Sequence, residues 1–408
     1  MAFVGRFSVF SCGLKNFSIK KHKGRFFPLN LLNTMNKLSR EHIAWVDLLR
    51  VIACFLVVVA HACDPFVAQL DANRTDFLSG AFIGSLVRPC VPLFVMISGL
   101  LLLPVNMNMK DFYSRRAKRL IAPFVFWSLM MPVLYFLYVA SGIQTVSPNL
   151  VAEDHTLTAT LQKFYTFIFN FNYDTIPLWY VYMLIGLYLF MPIISAWLVQ
   201  ASKRDIQWFL RIWLVSMCLP YVEVIAPVLG YSGGALLGVC DWNPYGMLYY
   251  FSGFLGYIVL AYYLKQYPLN WNMGKRLAVG IPLFLLGYAI TAGGFLYAQE
   301  NSPGNFPMLE IPWYFFGLNV FVMTFSVYII FQKLNVKASP LLSKVAALTF
   351  GIYLCHFVFV QLGYDLVYTN LPIPAFLKII LVAIIGFLIS LFVIWLMSLN
   401  KYTRKVIM

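Results

Sequence analysis

Residues 45–65 read WVDLLRVIACFLVVVAHACDP, an apolar run interrupted by four ionisable residues, Asp47, Arg50, His61 and Asp64. The run is long enough for a helix that crosses a bilayer. At about 100° per residue, Arg50 and His61 lie about 20° apart around the helix, with Asp47 and Asp64 within roughly 60° of His61. Arg50 and His61 are also separated by about 16 Å along the axis. The four side chains therefore share one stripe.

Ionisable groups in a membrane helix are costly and are kept where they face a bundle interior or a wet cavity. One interpretation of the stripe is a functional cavity that contains His61. The other is that Asp47 and Arg50 extend toward water at one end, while His61 is a core histidine with satisfied hydrogen bonds. The shared stripe favours the functional interpretation.

Composition places the chain among polytopic membrane proteins. Of its 408 residues, 61% are hydrophobic and only 11% are charged, against about 25% charged in a soluble domain. The seven cysteines are scattered without a CxxC motif. They are therefore interpreted as small apolar residues rather than disulfides or a metal site.

The first 40 residues carry eight Lys or Arg and no acidic residue. We predict a basic cytoplasmic tail over residues 1–42, a membrane domain over 43–400 and a short cytoplasmic tail over 401–408. The sequence MNKLSREH at Met35 would also make a natural start. Residues 1–34 are therefore interpreted either as part of the tail or as an upstream extension.

Ten apolar runs have lengths near the ~20 residues that cross a bilayer. The predicted spans are 45–64, 80–103, 120–140, 178–199, 208–228, 245–264, 277–298, 312–332, 346–368 and 376–398. The predicted fold is an all-α, polytopic integral membrane helix bundle of about ten transmembrane helices.

Charge divides the loops between two sides. Loops 104–119, 200–207, 265–276 and 333–345 and the two tails contain nearly all the Lys and Arg outside the spans. The opposite loops hold only Arg74 and Lys163 as basic residues, together with several acidic ones. The positive-inside rule places both termini in the cytoplasm. Topology thus accounts for most of the net charge of +15, and no nucleic-acid partner is needed.

The longest outer loop, 141–177, contains the aromatic segment LQKFYTFIFNFNYDTIP. The segment is too short and too interrupted for a confident span. It is interpreted as an interfacial or partly re-entrant helix, or equally as an aromatic belt at the water interface.

The second predicted span contains Arg88, at a depth similar to that of His61. A buried Arg needs an anion, which Asp64, Glu223 or part of a substrate would supply. A purely structural ion pair is the alternative. Further along the span, the small pair Ser98–Gly99 would let another helix or a ligand approach closely.

Two further candidates lie later in the chain. Arg116 and Arg119, in FYSRRAKRLIAP, are three residues apart at a helix start and can point the same way. Arginine forks suit phosphate groups, although basic loops usually only set topology. His356 lies about a dozen residues into the ninth predicted span. It either lines the same cavity as His61 or packs against a helix backbone.

The chain lacks a Walker loop, a GxSxG elbow, an HExxH motif and a closely spaced His/Cys metal set. Histidines and arginines within a membrane fit acyl transfer better than redox or metal-dependent hydrolysis. A neutral His deprotonates a hydroxyl, while Arg holds a phosphate or a developing oxyanion.

The pattern resembles the acyltransferase-3 family of multi-spanning bacterial acyltransferases over about residues 43–400. Four pieces carry the resemblance: VDLLRVIACFLVVVAHA with Arg50 and His61, VRPCVPLFVMISGLLL with Arg88, RAKRLIAP with Arg116 and Arg119, and the pair PLWYVYMLIGLYLFMPI and FGIYLCH with Trp179 and His356. Each piece alone is weak, whereas their order and spacing together are specific. The chain resembles standalone members, which have no extracytoplasmic hydrolase-like domain.

The resemblance implies a multi-pass protein of the bacterial cytoplasmic (inner) membrane. It would move an acyl group, usually acetyl, from cytoplasmic acyl-CoA to a hydroxyl of a surface polysaccharide or a lipid-linked sugar. No metal is expected.

Together the residues and the resemblance assign roles. Arg116 and Arg119 would bind the phosphates of CoA, and His61 would act as a base or as a transient acyl carrier. Arg50 and Arg88 would stabilise charge along the path, Asp64 completes the predicted catalytic set, and Trp179 and His356 would contact substrate. The competing hypotheses are a polysaccharide or lipid flippase, with a replaceable central histidine, and a purely structural membrane protein, which would not need the stripe.

Overall fold

The structure, a computed structural model, describes residues 43–407 apart from 170–171, 232–235 and 241. The side chains at 223, 227–228, 306–307 and 310 are also outside the described set. The predicted basic tail, 1–42, lies outside the described residues and stays a prediction.

The described part of the chain is almost entirely helical, as the apolar runs predict. Its α-helices are α1 (Ala44–Val67), α2 (Arg74–Leu86), α3 (Cys90–Leu102), α4 (Met109–Ala140), α5 (Leu157–Thr166), α6 (Trp179–Gln200), α7 (Lys203–Ser216), α8 (Leu219–Val228), α9 (Leu255–Gln266), α10 (Met273–Asn301), α11 (Phe306–Trp313), α12 (Leu318–Phe331), α13 (Pro340–Val367) and α14 (Ala375–Leu399).

Eight helical segments of the described residues are long and apolar enough to cross a membrane, and each coincides with a predicted span. They are Ala44–Val67, Arg74–Leu102, Met109–Ala140, Tyr173–Gln200, Met273–Asn301, Ile311–Phe331, Pro340–Val367 and Ala375–Leu399. The structure therefore confirms a polytopic helix bundle.

Two of the ten predicted spans, 208–228 and 245–264, are not among these eight segments of the described residues. The first of the two is split between α7, whose first turn is charged, and α8, which begins beside Pro220. The second contains a 3₁₀ turn, Gly246–Phe251, and α9, whose 12 residues extend about 18 Å, less than the ~30 Å hydrocarbon core. Removing both segments still leaves an even number of spans.

Helix α1 lies inside the bundle, where it packs against α2, α3, α13 and α14. Leu49, Ala53 and Val58 are each 0% exposed. Leu48 and Ile52, on the face opposite the ionisable stripe, are only partly buried. The ionisable residues of α1 therefore face other helices or cavities.

The second predicted span is interrupted between α2 and α3 at Val87–Pro89. Proline has no backbone N–H, so the regular hydrogen-bond ladder cannot continue through this point. Arg88 lies in this interruption, between the two helices. Further along, Gly99 meets the backbone of Ile258 in α9, as the small pair Ser98–Gly99 predicts: a Cβ at Gly99 would lie 2.8 Å from both Cα and O of Ile258.

The long outer loop forms the ten-residue helix α5 and a 3₁₀ turn, Tyr173–Leu178. Neither is long enough to cross a membrane. A buried polar cluster that sequence reasoning missed fixes this loop: Asp174, 0% exposed, contacts His155 Nε2 and Lys163 Nζ, both at 2.7 Å. The aromatic tip is outside this cluster, with Tyr165 88% exposed.

Contacts at one end of the bundle join the basic loops. Lys265 Nζ donates to the carbonyls of Leu100 and Leu103, at 2.9 and 3.0 Å. Near the same end, Trp127 Nε1 donates to the carbonyl of Val406 at 3.1 Å. The residues that follow the last span are therefore packed against the bundle.

Contacts at the opposite end join the loops predicted to lie outside. The Tyr368 hydroxyl donates to Asp76 at 2.7 Å, and Arg74 pairs with Glu300. Each loop contact thus pairs segments that the charge pattern places on the same side. This grouping supports the predicted two-sided arrangement.

We expect Gly99→Ala to destabilise the bundle by about 1–3 kcal/mol, because the new methyl group would overlap the backbone of α9. Gly186→Ala in α6 is the matched control, since a Cβ there meets nothing within 4 Å. Thermal unfolding of the purified variants measures the difference. Equal unfolding temperatures for the two variants would contradict the close approach of α3 and α9.

Orientation is tested by labelling cysteines placed at exposed loop positions in intact cells. Asp154→Cys, in the acidic loop before α5, should react with an impermeant maleimide. Lys337→Cys, in the basic loop before α13, should react only after the cells are opened. The unmodified protein gives the background from the native cysteines, and labelling of Lys337→Cys in intact cells would invert the topology.

Candidate functional site

The polar stripe of α1 is present but is divided between two places. Arg50 lines a cavity at the basic end of the bundle. Asp47, 7% exposed, accepts a hydrogen bond from the Ser343 hydroxyl at 2.9 Å. His61 and Asp64 lie about 16 Å further along the helix, so Arg50 and His61 belong to different parts of the bundle.

His61 is paired with Asp64, as their place on the stripe suggests. His61 Nδ1 donates to Asp64 Oδ2 at 2.8 Å, and the two side chains are 17% and 40% exposed. Because the carboxylate fixes the proton on Nδ1, the lone pair lies on Nε2. An imidazole oriented in this way is equipped to accept a proton from a hydroxyl.

His356 lies beside His61, with ring centroids 5.2 Å apart. Its Nδ1 donates to the carbonyl of Tyr353 at 2.7 Å, while its Nε2 is buried without a hydrogen-bond partner in the described part of the chain. His356 therefore packs against its own helix backbone, as the second interpretation has it. Its ring lies beside that of His61, but neither histidine is among the residues that line the two cavities described below.

The basic end of the bundle contains a cavity of about 680 Å³. Arg50, Arg116 and Arg119, predicted from two separate motifs, all line it. Arg116 Nε is buried without a partner among the described residues, and its guanidinium lies 5.8 Å from the ring centroid of Tyr188. An unpaired arginine that lines an open cavity suits an anionic ligand.

Three more cations line this cavity, and sequence reasoning did not assign them to a site: Lys401, Arg404 and Lys405. Their position just after the last span was interpreted as topological charge. Together with the three arginines they make six cations, and no Asp or Glu of the described residues lines the cavity. The wall is completed by polar aromatic side chains, among them Tyr180, Tyr188 and Tyr353.

A second cavity, of about 510 Å³, contains the predicted residues Arg88 and Trp179. The Arg88 guanidinium lies 3.7 Å from the ring centroid of Trp313, which sequence reasoning missed. Trp179 stacks on Phe315 with centroids 5.5 Å apart and planes at 17°. The cavity is thus a cleft lined by aromatic faces and one guanidinium.

The predicted anion partner of Arg88 is absent as a direct ion pair in the described residues. Arg88 Nε donates instead to the carbonyl of Gly84 at 3.2 Å. Asp64 interacts with Arg88 electrostatically without forming a salt bridge. The side chain of Glu223 lies outside the described residues.

The two cavities share no lining residue, and neither His61 nor His356 is among the residues that line them. Trp179 lines the aromatic cavity, whereas its neighbour Tyr180 lines the cationic one. From Tyr353 in the cationic cavity, ring contacts lead to His356 (5.9 Å) and from there to His61. Along α1, the His61–Asp64 pair lies between Arg50, which lines the cationic cavity, and Val67, which lines the aromatic one.

No group of three or more His, Cys, Asp or Glu side chains in the described residues is arranged to hold a metal ion. Of the cysteines, Cys54, Cys63, Cys90 and Cys355 are buried. These four pack as apolar side chains in the bundle, as the sequence predicts.

Comparison with known proteins identifies the class. The model of the acyltransferase domain family matches residues 43–399. A Bacillus subtilis (strain 168) protein titled "Putative membrane-bound acyltransferase YfiQ" is 23% identical over 369 residues, which cover 88% of this chain and 92% of the relative. No solved structure matches. Fold and comparison together define a membrane acyltransferase.

The chain belongs to the acyltransferase-3 family, whose model covers nearly all of its described residues. The resemblance noted in four short motifs is thereby confirmed. The match includes α1 with Arg50 and His61, the turn with Arg88, and the start of α4 with Arg116 and Arg119.

Proposed function

We propose that this protein transfers an acyl group, most simply acetyl, from acyl-CoA to a hydroxyl of a surface polysaccharide or lipid-linked glycan. The observation that carries the proposal is the His61–Asp64 pair between the two cavities. One cavity has the charge required by a phosphorylated donor. The other has the aromatic surface that suits a sugar.

The donor is assigned to the cationic cavity. CoA carries three phosphate groups on a narrow pantetheine arm, and arginine forks bind phosphate with two parallel hydrogen bonds. Arg116 and Arg119 would hold the diphosphate. The arm would then pass Arg50 and Tyr353 toward His356 and His61. With the basic loops in the cytoplasm, this cavity opens where acyl-CoA is found, and its positive potential raises the local donor concentration.

The acceptor is assigned to the aromatic cavity. Flat rings such as Trp179 and Phe315 offer apolar faces to a sugar ring, and the Arg88 fork donates to hydroxyl oxygens. The opening lies toward the acidic loops, on the side where surface glycans are displayed. His61 could then be approached from one side by the thioester and from the other by the hydroxyl.

The chemistry follows from this placement. His61 Nε2 takes the proton of the acceptor hydroxyl as its oxygen attacks the thioester carbonyl. The carbon–sulfur bond breaks, and the proton passes from His61 to the departing CoA thiolate. The products are an ester and CoA. Asp64 would hold the imidazole and stabilise its charged form, and Arg88 would stabilise developing negative charge. Arg50, about 16 Å from His61 along α1, would contact the donor instead.

The protein is accordingly proposed to work as a multi-pass enzyme of the bacterial cytoplasmic membrane. A polysaccharide or lipid flippase would also need a bundle with polar cavities. It would not respond to acyl-CoA, and it would tolerate loss of His61. Purified protein incubated with [14C]acetyl-CoA and a glycan extract separates the two functions, because only the transferase labels the glycan.

We expect His61→Ala to lower transfer by 10²–10⁴-fold, the usual contribution of a general base. His61→Gln should be equally inactive, because an amide forms hydrogen bonds but does not accept the proton. Donor binding, measured by calorimetry with CoA, should be nearly unchanged. His356→Ala should be milder. If His61→Ala retains more than about a tenth of the activity, His61 is structural and the flippase becomes the better hypothesis.

We expect Arg116→Ala or Arg119→Ala to raise the KM for acetyl-CoA by an amount that corresponds to about 1–3 kcal/mol, the value of a charge-assisted contact. Lys at either position should restore binding only in part, because it lacks the planar fork. Lys118→Ala is the matched control: the residue is exposed on the same helix and is not among the cavity-lining residues. An unchanged KM with a lower protein yield would make the arginine pair purely topological.

A further inference from the structure

The residues that follow α14 are packed against the bundle. Residues Thr403–Val406 form a 3₁₀ turn whose last carbonyl accepts the hydrogen bond from Trp127 Nε1. Ile407 is fully buried, and its Cβ is within 3.2 Å of where a Cβ would stand on Gly351. The turn is therefore held against α4 and α13 and forms a fixed part of the cavity wall.

The charges on this turn are arranged at the rim of the cationic cavity. Lys401, Arg404 and Lys405 line the cavity and are exposed, whereas Arg50 and Arg116 are only partly exposed. None of the three makes a salt bridge with a described carboxylate. Arg116 and Arg119 are enough to bind a diphosphate. The three unpaired cations on the turn are therefore available for a further anionic group.

We propose that the C-terminal turn, Lys401–Lys405, binds the 3′-phosphate on the adenosine ribose of CoA. This inference rests on the proposed function and extends it by a second anion subsite. When the thioester points inward toward His61, the ribose phosphate is at the opposite end of the donor and reaches the rim. A phosphate monoester carries a charge of about −1.5 to −2 at neutral pH, which two or three rim cations would neutralise.

The subsite makes the last residues of the chain a specificity element. It distinguishes CoA from donors that share the acyl-pantetheine arm but lack the ribose phosphate. Trp127 acts as a positioning residue, because its indole fixes the backbone that presents the three cations. An anionic lipid headgroup offers similar phosphate chemistry at a membrane surface, so the test excludes that source.

The experiment compares acetyl-CoA with acetyl-3′-dephospho-CoA as donors, in phosphatidylcholine vesicles that contain no anionic lipid. The wild type should prefer acetyl-CoA by kcat/KM. The triple variant Lys401→Gln/Arg404→Gln/Lys405→Gln should reduce this preference by roughly tenfold or more, since a charge-assisted contact is worth about a factor of ten. Adenosine 3′,5′-bisphosphate should inhibit the wild type better than the triple variant.

The matched control is Lys333→Gln/Lys337→Gln/Lys344→Gln. It removes the same charge from exposed positions on the same side of the bundle, outside the cavity lining. Its donor preference should equal that of the wild type. Trp127→Phe keeps all the charges but removes the indole donor that holds the turn. It should reduce the preference for acetyl-CoA in part. If only the total positive charge mattered, this variant would keep the wild-type preference.

The outcomes distinguish this inference from the proposed function. A triple variant that retains the wild-type preference overturns the subsite and leaves acyl-CoA as donor. An equal loss of preference in both triple variants also overturns it, because the effect is then long-range charge. A wild type that uses neither donor overturns the subsite together with the proposed transferase activity.

Discussion

The structure depends on one constraint: an ionisable side chain inside a membrane bundle must have a polar partner or face water. Helix α1 brings four such groups into the bundle, and each has an environment that meets the constraint. Asp47 accepts from Ser343, and His61 is paired with Asp64. Arg50 faces the cationic cavity. The surrounding helices therefore provide polar partners and a cavity for the ionisable side chains of α1, as well as packing against its apolar surface.

The same constraint separates the bundle into two cavities. The cationic cavity and the aromatic one share no lining residue, and His61 lies between Arg50 of the first and Val67 of the second along α1. Under the proposed function, this division would let a charged donor and a sugar acceptor reach the His61–Asp64 pair from different cavities.

The arginines illustrate how charge at one end serves two purposes. Arg116 and Arg119 obey the positive-inside rule and also line the cationic cavity. The same holds for Lys401, Arg404 and Lys405, which complete its rim. Because topology explains a basic residue equally well, charge pattern alone does not distinguish a site from an orientation signal. The distinction requires knowledge of which side chains share a cavity.

The sequence by itself determined the helical class, eight of the spanning segments, the pairing of loops by side and the residues on the α1 stripe, because hydrophobic length and 3.6-residue periodicity are local properties. The two remaining predicted spans, 208–228 and 245–264, contain short helices in the described residues. Only the tertiary structure placed Arg50 in the cationic cavity, Arg88 on Trp313 and the C-terminal turn against Trp127. Those contacts join residues distant in sequence, and no periodicity along the chain encodes them.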